Sequence, residues 1–199
     1  MGFYEYRHLT SEQREMVVRF RQQQGYPWHA PPHPVQGANY YMLTAANFEH
    51  SRIMATEERR LKFQQLLLNA FQNAGAEIVA WVVLPNHYHL LIWLHDFGEA
   101  SSIFKHLHGM TSRQWNLEDE TVGRKVWYRY SDRLIRSERH FYASINYTHY
   151  NPVKHGWVKR IDEWVCSSFW AYVETKGRDW LVDIWRRYPV KDYGKGWDW

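Results

Sequence analysis

The sequence contains one cysteine, Cys166. A single thiol excludes an internal disulfide framework and any cysteine-based zinc cluster, and it fits a reducing compartment. Long apolar runs are also missing. The longest, Ile78–Leu84 and Leu90–Leu94, fall far short of the ~18 residues a membrane-spanning helix needs. The opening MGFYEYRHLT has no signal-peptide core, and no Ser or Thr at position 6 for a myristoylation signal. These absences lead us to expect a cytoplasmic protein with no membrane partner. No internal repeat or low-complexity tract is present. Charge of one sign is scarce too. Lys plus Arg number 25 and Asp plus Glu 21, a net +4, which permits an anionic partner without requiring one.

Aromatic residues are abundant: 12 Trp, 14 Tyr and 9 Phe make up 18% of the chain. So much aromatic surface argues against disorder. It fits an aromatic-rich core, or rings exposed to stack on nucleic-acid bases. The 199 residues suffice for one sizeable core with short appendages.

Thr10 to Gln24 reads as a helix, with Thr10 and Gln13 as a capping box and Gly25 as its stop. The four prolines of GYPWHAPPHPVQG then forbid a regular element, so residues 1–37 read as a helix plus linker. Asn39–Phe48 reads as a strand. Thr56 can cap a helix with Glu57 and Glu58 in its first turn and Leu61, Leu68 and Phe71 at helical spacing. Glu77–Leu84 and His87–Leu94, joined at Pro85-Asn86, form an antiparallel hairpin. A helix from Ser101 or Ser102 carries Ile103, Leu107 and Met110. Trp127–Ile135 reads as a fourth strand. Ser137 caps a helix that Asn151-Pro152 breaks after Tyr150, and a further helix starts near Ser167. The order β-α-β-β-α-β predicts an α+β fold: a ferredoxin-like antiparallel sheet with helices on one face and an added C-terminal helix. The expected divisions are 1–37, a main domain over 38–175, and a Trp-rich tail over 176–199.

Three groups of residues carry chemistry. In the first, His87 and His89 alternate with Tyr88 on a strand, so both imidazoles face one side. Tyr88, Leu90, Ile92 and Leu94 make the opposite, apolar face that packs on helices. Two imidazoles on the remaining face can converge on a divalent ion, or be two surface histidines. In the second, Tyr147 and Asn151 are four apart and share a helix face. A tyrosine hydroxyl can act as a nucleophile, but spacing does not choose among Tyr142, Tyr147 and Tyr150. Asn151 before Pro152 reads first as an N-cap and second as an amide-oxygen ligand. The third is the basic segment RKVWYRYSDRLIRSERH, where Arg129, Arg133 and Arg136 interleave with Trp127, Tyr128 and Tyr130. It suits either a groove for single-stranded nucleic acid or a charged strand edge. Lys105 and Arg113, and Lys154, His155 and Lys159 further on, would extend such a DNA-binding surface.

Together, LPNHYHLLIW and the downstream INYTHYNPVKHGWV resemble the REP-associated tyrosine transposases of the HUH single-tyrosine superfamily. The resemblance runs from about Asn39 to Trp170. It implies that His87 and His89 are the metal pair, Tyr147 the nucleophile and Asn151 the third metal ligand. It implies a divalent cofactor, Mg2+ or Mn2+, that polarises a scissile phosphate. Tyrosine, with an ordinary pKa of about 10, would attack that phosphate to give a 5′-phosphotyrosine. The substrate implied is single-stranded DNA beside a REP-like hairpin, handled by a monomer or homodimer. Two other readings stand beside it: a phosphodiesterase whose metal activates water, and a non-catalytic nucleic-acid-binding module of the same fold.

Overall fold

The computed structural model describes Thr10, Glu12, Gln13, Glu15, Met16, Arg19 and residues 39–194. By its contacts the chain divides into Met1–Gln36 with Gly194–Trp199, and Gly37–Tyr193. In the first unit Thr10 and Gln13 form the reciprocal capping box. Thr10 N donates to Gln13 Oε1 at 2.9 Å and Gln13 N to Thr10 Oγ1 at 3.2 Å. The rest of the expected helix and the proline-rich segment lie outside the described residues.

The second unit runs β1 (Asn39–Ala46), α1 (Glu57–Asn73), β2 (Glu77–Val83), β3 (His87–Leu94), α2 (Gly98–Glu118), β4 (Ser131–Leu134), α3 (Glu138–Lys154), α4 (Phe169–Lys176) and α5 (Arg178–Arg187). The strands form one antiparallel sheet in the order β2-β3-β1-β4. This is the ferredoxin-like α+β arrangement expected from the order of elements. Among the described residues no helix is long and apolar enough to cross a membrane.

Local chemistry explains where the elements begin and which face they bury. Thr56 Oγ1 accepts from Arg59 N at 3.2 Å, capping α1, with Glu57 and Glu58 at its positive end. The buried stripe of α1 is Phe63, Leu67 and Phe71, whereas Leu61 is 41% exposed. Of the expected stripe, Phe71 is buried and Leu68 packs half-buried against the core, and only Leu61 faces outward. Helix α2 starts at Gly98, whose N–H donates to Asp96 Oδ1 at 2.8 Å. It buries Phe104, Leu107 and Trp115 and leaves Met110 outside.

The fourth strand is shorter than expected. Trp127 makes one isolated bridge to Asn47, and the ladder with β1 covers Ser131 to Leu134. The Trp127 ring goes into the core, where its Nε1 donates to Thr111 Oγ1 at 2.9 Å. Tyr130 packs on Phe104 with ring centroids 4.3 Å apart. Two of the three aromatics interleaved in the basic segment thus serve packing, which corrects their reading as a base-stacking surface.

The largest correction concerns α3. Asn151-Pro152 neither breaks the helix nor caps a new one, because α3 continues to Lys154 with Pro152 inside its last turn. Pro152 gives up only the N–H that would reach the Thr148 carbonyl. The end follows at once. Gly156 N donates to Val153 O at 3.0 Å and Trp157 N to Pro152 O at 2.9 Å, with Gly156 at φ +69°. This pairing is a Schellman motif, and it needs a residue tolerant of the left-handed region at Gly156.

Helices α1 and α2 cover the face of the sheet that presents Tyr88, Leu90, Ile92 and Leu94. Phe63 meets the Tyr88 ring there at 5.2 Å. Helix α3 covers the opposite face. The tail rings pack around α3 and α4: Tyr188 stacks on Tyr142 at 4.8 Å, Trp180 on Tyr172 at 5.6 Å, and Trp185 meets Tyr150 at 5.4 Å. Buried Asn146 fastens α5 to α3, donating from Nδ2 to Ile184 O and Tyr188 O at 3.1 and 2.9 Å.

Candidate active site on one face of the sheet

Strand alternation sends His87 and His89 to the face under α3, and both are buried. The register pairs Thr44 of β1 with His89. Thr44 Oγ1 lies 2.7 Å from His89 Nδ1 and so fixes the ring, making Nε2 the atom on its other side. The two rings are 5.1 Å apart. Asn86, read from sequence only as a turn residue, places its Oδ1 2.8 Å from His87 Nδ1.

Helix α3 supplies the other half. Asn151, fully buried, sets Oδ1 3.1 Å from His87 Nε2. Both ring nitrogens of His87 therefore have a carboxamide oxygen beside them. A neutral imidazole carries only one N–H, so one of these pairs sets two lone pairs against each other. The Asn151 Nδ2 is buried without a hydrogen-bond partner among the described residues. Two imidazoles and an amide oxygen presenting lone pairs are a donor set that fits a divalent cation. Among the described residues no cluster of three or more His, Cys, Asp or Glu side chains offers another.

Tyr147, one helical turn before Asn151, is also fully buried, and its ring lies 5.1 Å from that of His89. Tyr142 and Tyr150, equal to it on spacing, instead meet Tyr188 and Trp185. Geometry thus separates the three tyrosines. Lys154 Nζ donates to Tyr147 Oη at 3.2 Å and sits 4.8 Å from the centre of the same ring. The His155 ring lies 4.9 Å from His87. Tyr193 meets Tyr147 edge-on at 5.5 Å and hydrogen-bonds Ser144 Oγ. Burial pushes the Tyr193 hydroxyl up to about 12. Desolvation lowers His140 beneath it, helped by the charges of Arg133 and Arg136.

The basic residues singled out from sequence divide. Lys154 enters the site. Arg133 pairs with Met42 in the sheet register, on the face that carries His89, and Arg136 N reaches His140 Nδ1 at 3.3 Å. Arg129 is exposed in the segment before β4. Lys105 and Arg113 are exposed on the outer face of α2, across the sheet from Tyr147. Sequence reasoning missed Thr44, Asn86 and Tyr193, and placed His155 only on the basic surface. Only Asn86, next to His87, carried a visible signal.

Two histidines on a central strand thus face a tyrosine and an asparagine on one helix, the arrangement expected from the resemblance to the tyrosine transposases. Residues 36–133 match the model of a family described as IS200-like transposases. That stretch contains His87 and His89 and ends before α3. A REP-associated tyrosine transposase of Escherichia coli strain K12 is 27% identical over 156 residues, which is 75% of this chain and 88% of that one. A Haemophilus influenzae strain Rd protein provisionally given the same name is 32% identical over 103 residues, 47% of this chain and 58% of its own. In fold, the chain is similar to a REP-associated tyrosine transposase solved bound to a REP hairpin. The TM-score is 0.58 and the identity 24%, covering 73% of this chain and 86% of the other. Its relatives are tyrosine transposases, enzymes that nick DNA and transfer strands.

Proposed function

We propose that the protein is a metal-dependent single-stranded DNA endonuclease and strand transferase. It cleaves beside REP-type hairpins through a 5′-phosphotyrosine. The observation that carries this reading is the burial of His87, His89, Asn151 and Tyr147 in one cluster of one chain. No second copy is needed to complete it. His87, His89 and Asn151 would hold Mg2+ or Mn2+. Such an ion polarises the scissile phosphate and neutralises charge that develops on it.

The chain's own residues have separable tasks. Thr44 and Asn86 set the ring orientations of His89 and His87. Tyr147 loses its phenolic proton and its oxygen bonds to phosphorus. The bond from phosphorus to the 3′-oxygen breaks, and that oxygen takes up a proton. The ester keeps the energy of the phosphodiester, so a returning 3′-hydroxyl can reverse the step. Arg133 and Arg136 lie on the approach to Tyr193 and His140, where a DNA backbone would pass. The work belongs in the cytoplasm, where the DNA is.

The test is a denaturing gel of the protein with 3′-labelled single-stranded hairpins in Mn2+, with Tyr147→Phe alongside. A labelled band at the protein's mass, absent from the variant, is the expected result. Cleavage without a protein-linked label would favour activated water. Hairpin binding with no cleavage in either metal would favour a binding module.

A further inference from the structure

The hydrogen bond from Lys154 to Tyr147 goes beyond a backbone contact. We infer that Lys154 is a catalytic residue: its ammonium holds the Tyr147 oxygen and supplies the fixed positive charge that the nucleophile uses. The inference rests on the phosphotyrosine reading. Three observations carry it. Nζ lies 3.2 Å from Oη, within donor range of the one atom that would attack phosphorus. The same ammonium lies 4.8 Å from the centre of the Tyr147 ring, so the cation is held to this side chain by both its edge and its face. Both residues project from one rigid element, seven positions apart, two turns along α3. The Schellman ending at Gly156 fixes the last turn, from which Lys154 projects.

The chemistry needs such a group. As the oxygen–phosphorus bond forms, negative charge moves from the phenolic oxygen onto the phosphoryl oxygens. The electron pair of the breaking bond passes to the 3′-oxygen. A cation at Oη steadies the charge before attack. It meets the same oxygen as leaving group when a 3′-hydroxyl returns. Lys154 therefore serves cleavage and rejoining alike. Burial strengthens the effect, because Tyr147 is fully buried and its charge is poorly screened by water.

The test measures adduct formation in single turnover at saturating 3′-labelled hairpin and Mn2+, together with hairpin affinity across a salt series. Lys154→Met and Lys154→Arg are compared with wild type. Removing one preorganised donor to a developing anion costs about 10²–10³-fold. Lys154→Met should lose adduct formation by that factor while hairpin affinity and its salt slope stay near wild type. Lys154→Arg should recover most of the loss, since it restores the charge on a different head group. An unchanged adduct rate in Lys154→Met, with wild type active, would overturn this inference alone. So would a variant that loses affinity and salt slope but keeps its saturated rate, since Lys154 would then be a backbone contact. If wild type forms no adduct on hairpins it demonstrably binds, the tyrosine reading and this inference fall together.

Discussion

The two faces of the sheet are built from the same strand and differ in almost everything else. On one face of β3, Tyr88, Leu90, Ile92 and Leu94 meet Phe63, Phe71, Phe104 and Trp115, all buried apolar or aromatic side chains. On the other, His87 and His89 meet Thr44, Asn151 and Tyr147, and Lys154 reaches Tyr147. Both faces are dry. The first gains stability from burial in proportion to area. The second buries polar groups, which costs free energy unless each finds a partner. Alternation along eight residues therefore separates stability from chemistry, and each can be altered while the other is kept.

The strongest way to break this division from the apolar side is Leu90→Ala. Leu90 is fully buried, so its truncation should cost about 2–5 kcal/mol. For a domain of this size that is roughly 4–20 °C in melting temperature. Hairpin cleavage measured well below the new midpoint should survive. Thr44→Val attacks the polar side instead. It removes the oxygen held against His89 Nδ1 and should raise the Mn2+ concentration for half-maximal cleavage about 10–100-fold. Its melting temperature should move less than that of Leu90→Ala.

Gly156→Ala tests the helix ending that both Asn151 and Lys154 depend on. The position has φ +69° and nothing lies within 4 Å of an added Cβ. The cost is then backbone strain, about 1–2 kcal/mol, read by chemical denaturation. The smallest effect near neutrality belongs to His108, on the apolar face. It stacks on Trp127 at 4.4 Å, and burial lowers its pKa from 6.5 to about 3. Folded His108 stays neutral while the unfolded chain takes up a proton below pH 6.5. Stability should accordingly be held above that value and decline as pH falls toward about 3. His108→Gln, which keeps a partner for the Tyr88 hydroxyl, should reduce the slope of stability against pH in that window. His149, also lowered to about 3 by burial, keeps its own share.

How much was legible in the sequence follows the same division. The β-α-β-β-α-β order, the hairpin at Pro85-Asn86 and the two faces of β3 were readable, because each rests on local periodicity or turn chemistry. The tyrosine was not readable from spacing, since Tyr142, Tyr147 and Tyr150 all ride on α3. What separates them is which partner each face of the helix meets. Asn151-Pro152 misled for a different reason. Its local signature suits the start of a helical turn, but Pro152 stands in the last turn of α3, where the helix was about to end anyway. Lys105 and Arg113 were grouped with Lys154 by charge alone. Their helix packs across the sheet from Tyr147, a relation that only the tertiary fold expresses. The Trp-rich tail gave no sign that Tyr193 would come to rest against Tyr147.

Tyr147, Asn151 and Lys154 all hang from a single shaft, α3, while the paired imidazoles are set in the floor beneath it. A helix is stiff over two turns, so the backbone positions that carry these three groups shift as one. Any slide or roll of the shaft moves phenol, amide and ammonium relative to the imidazoles together.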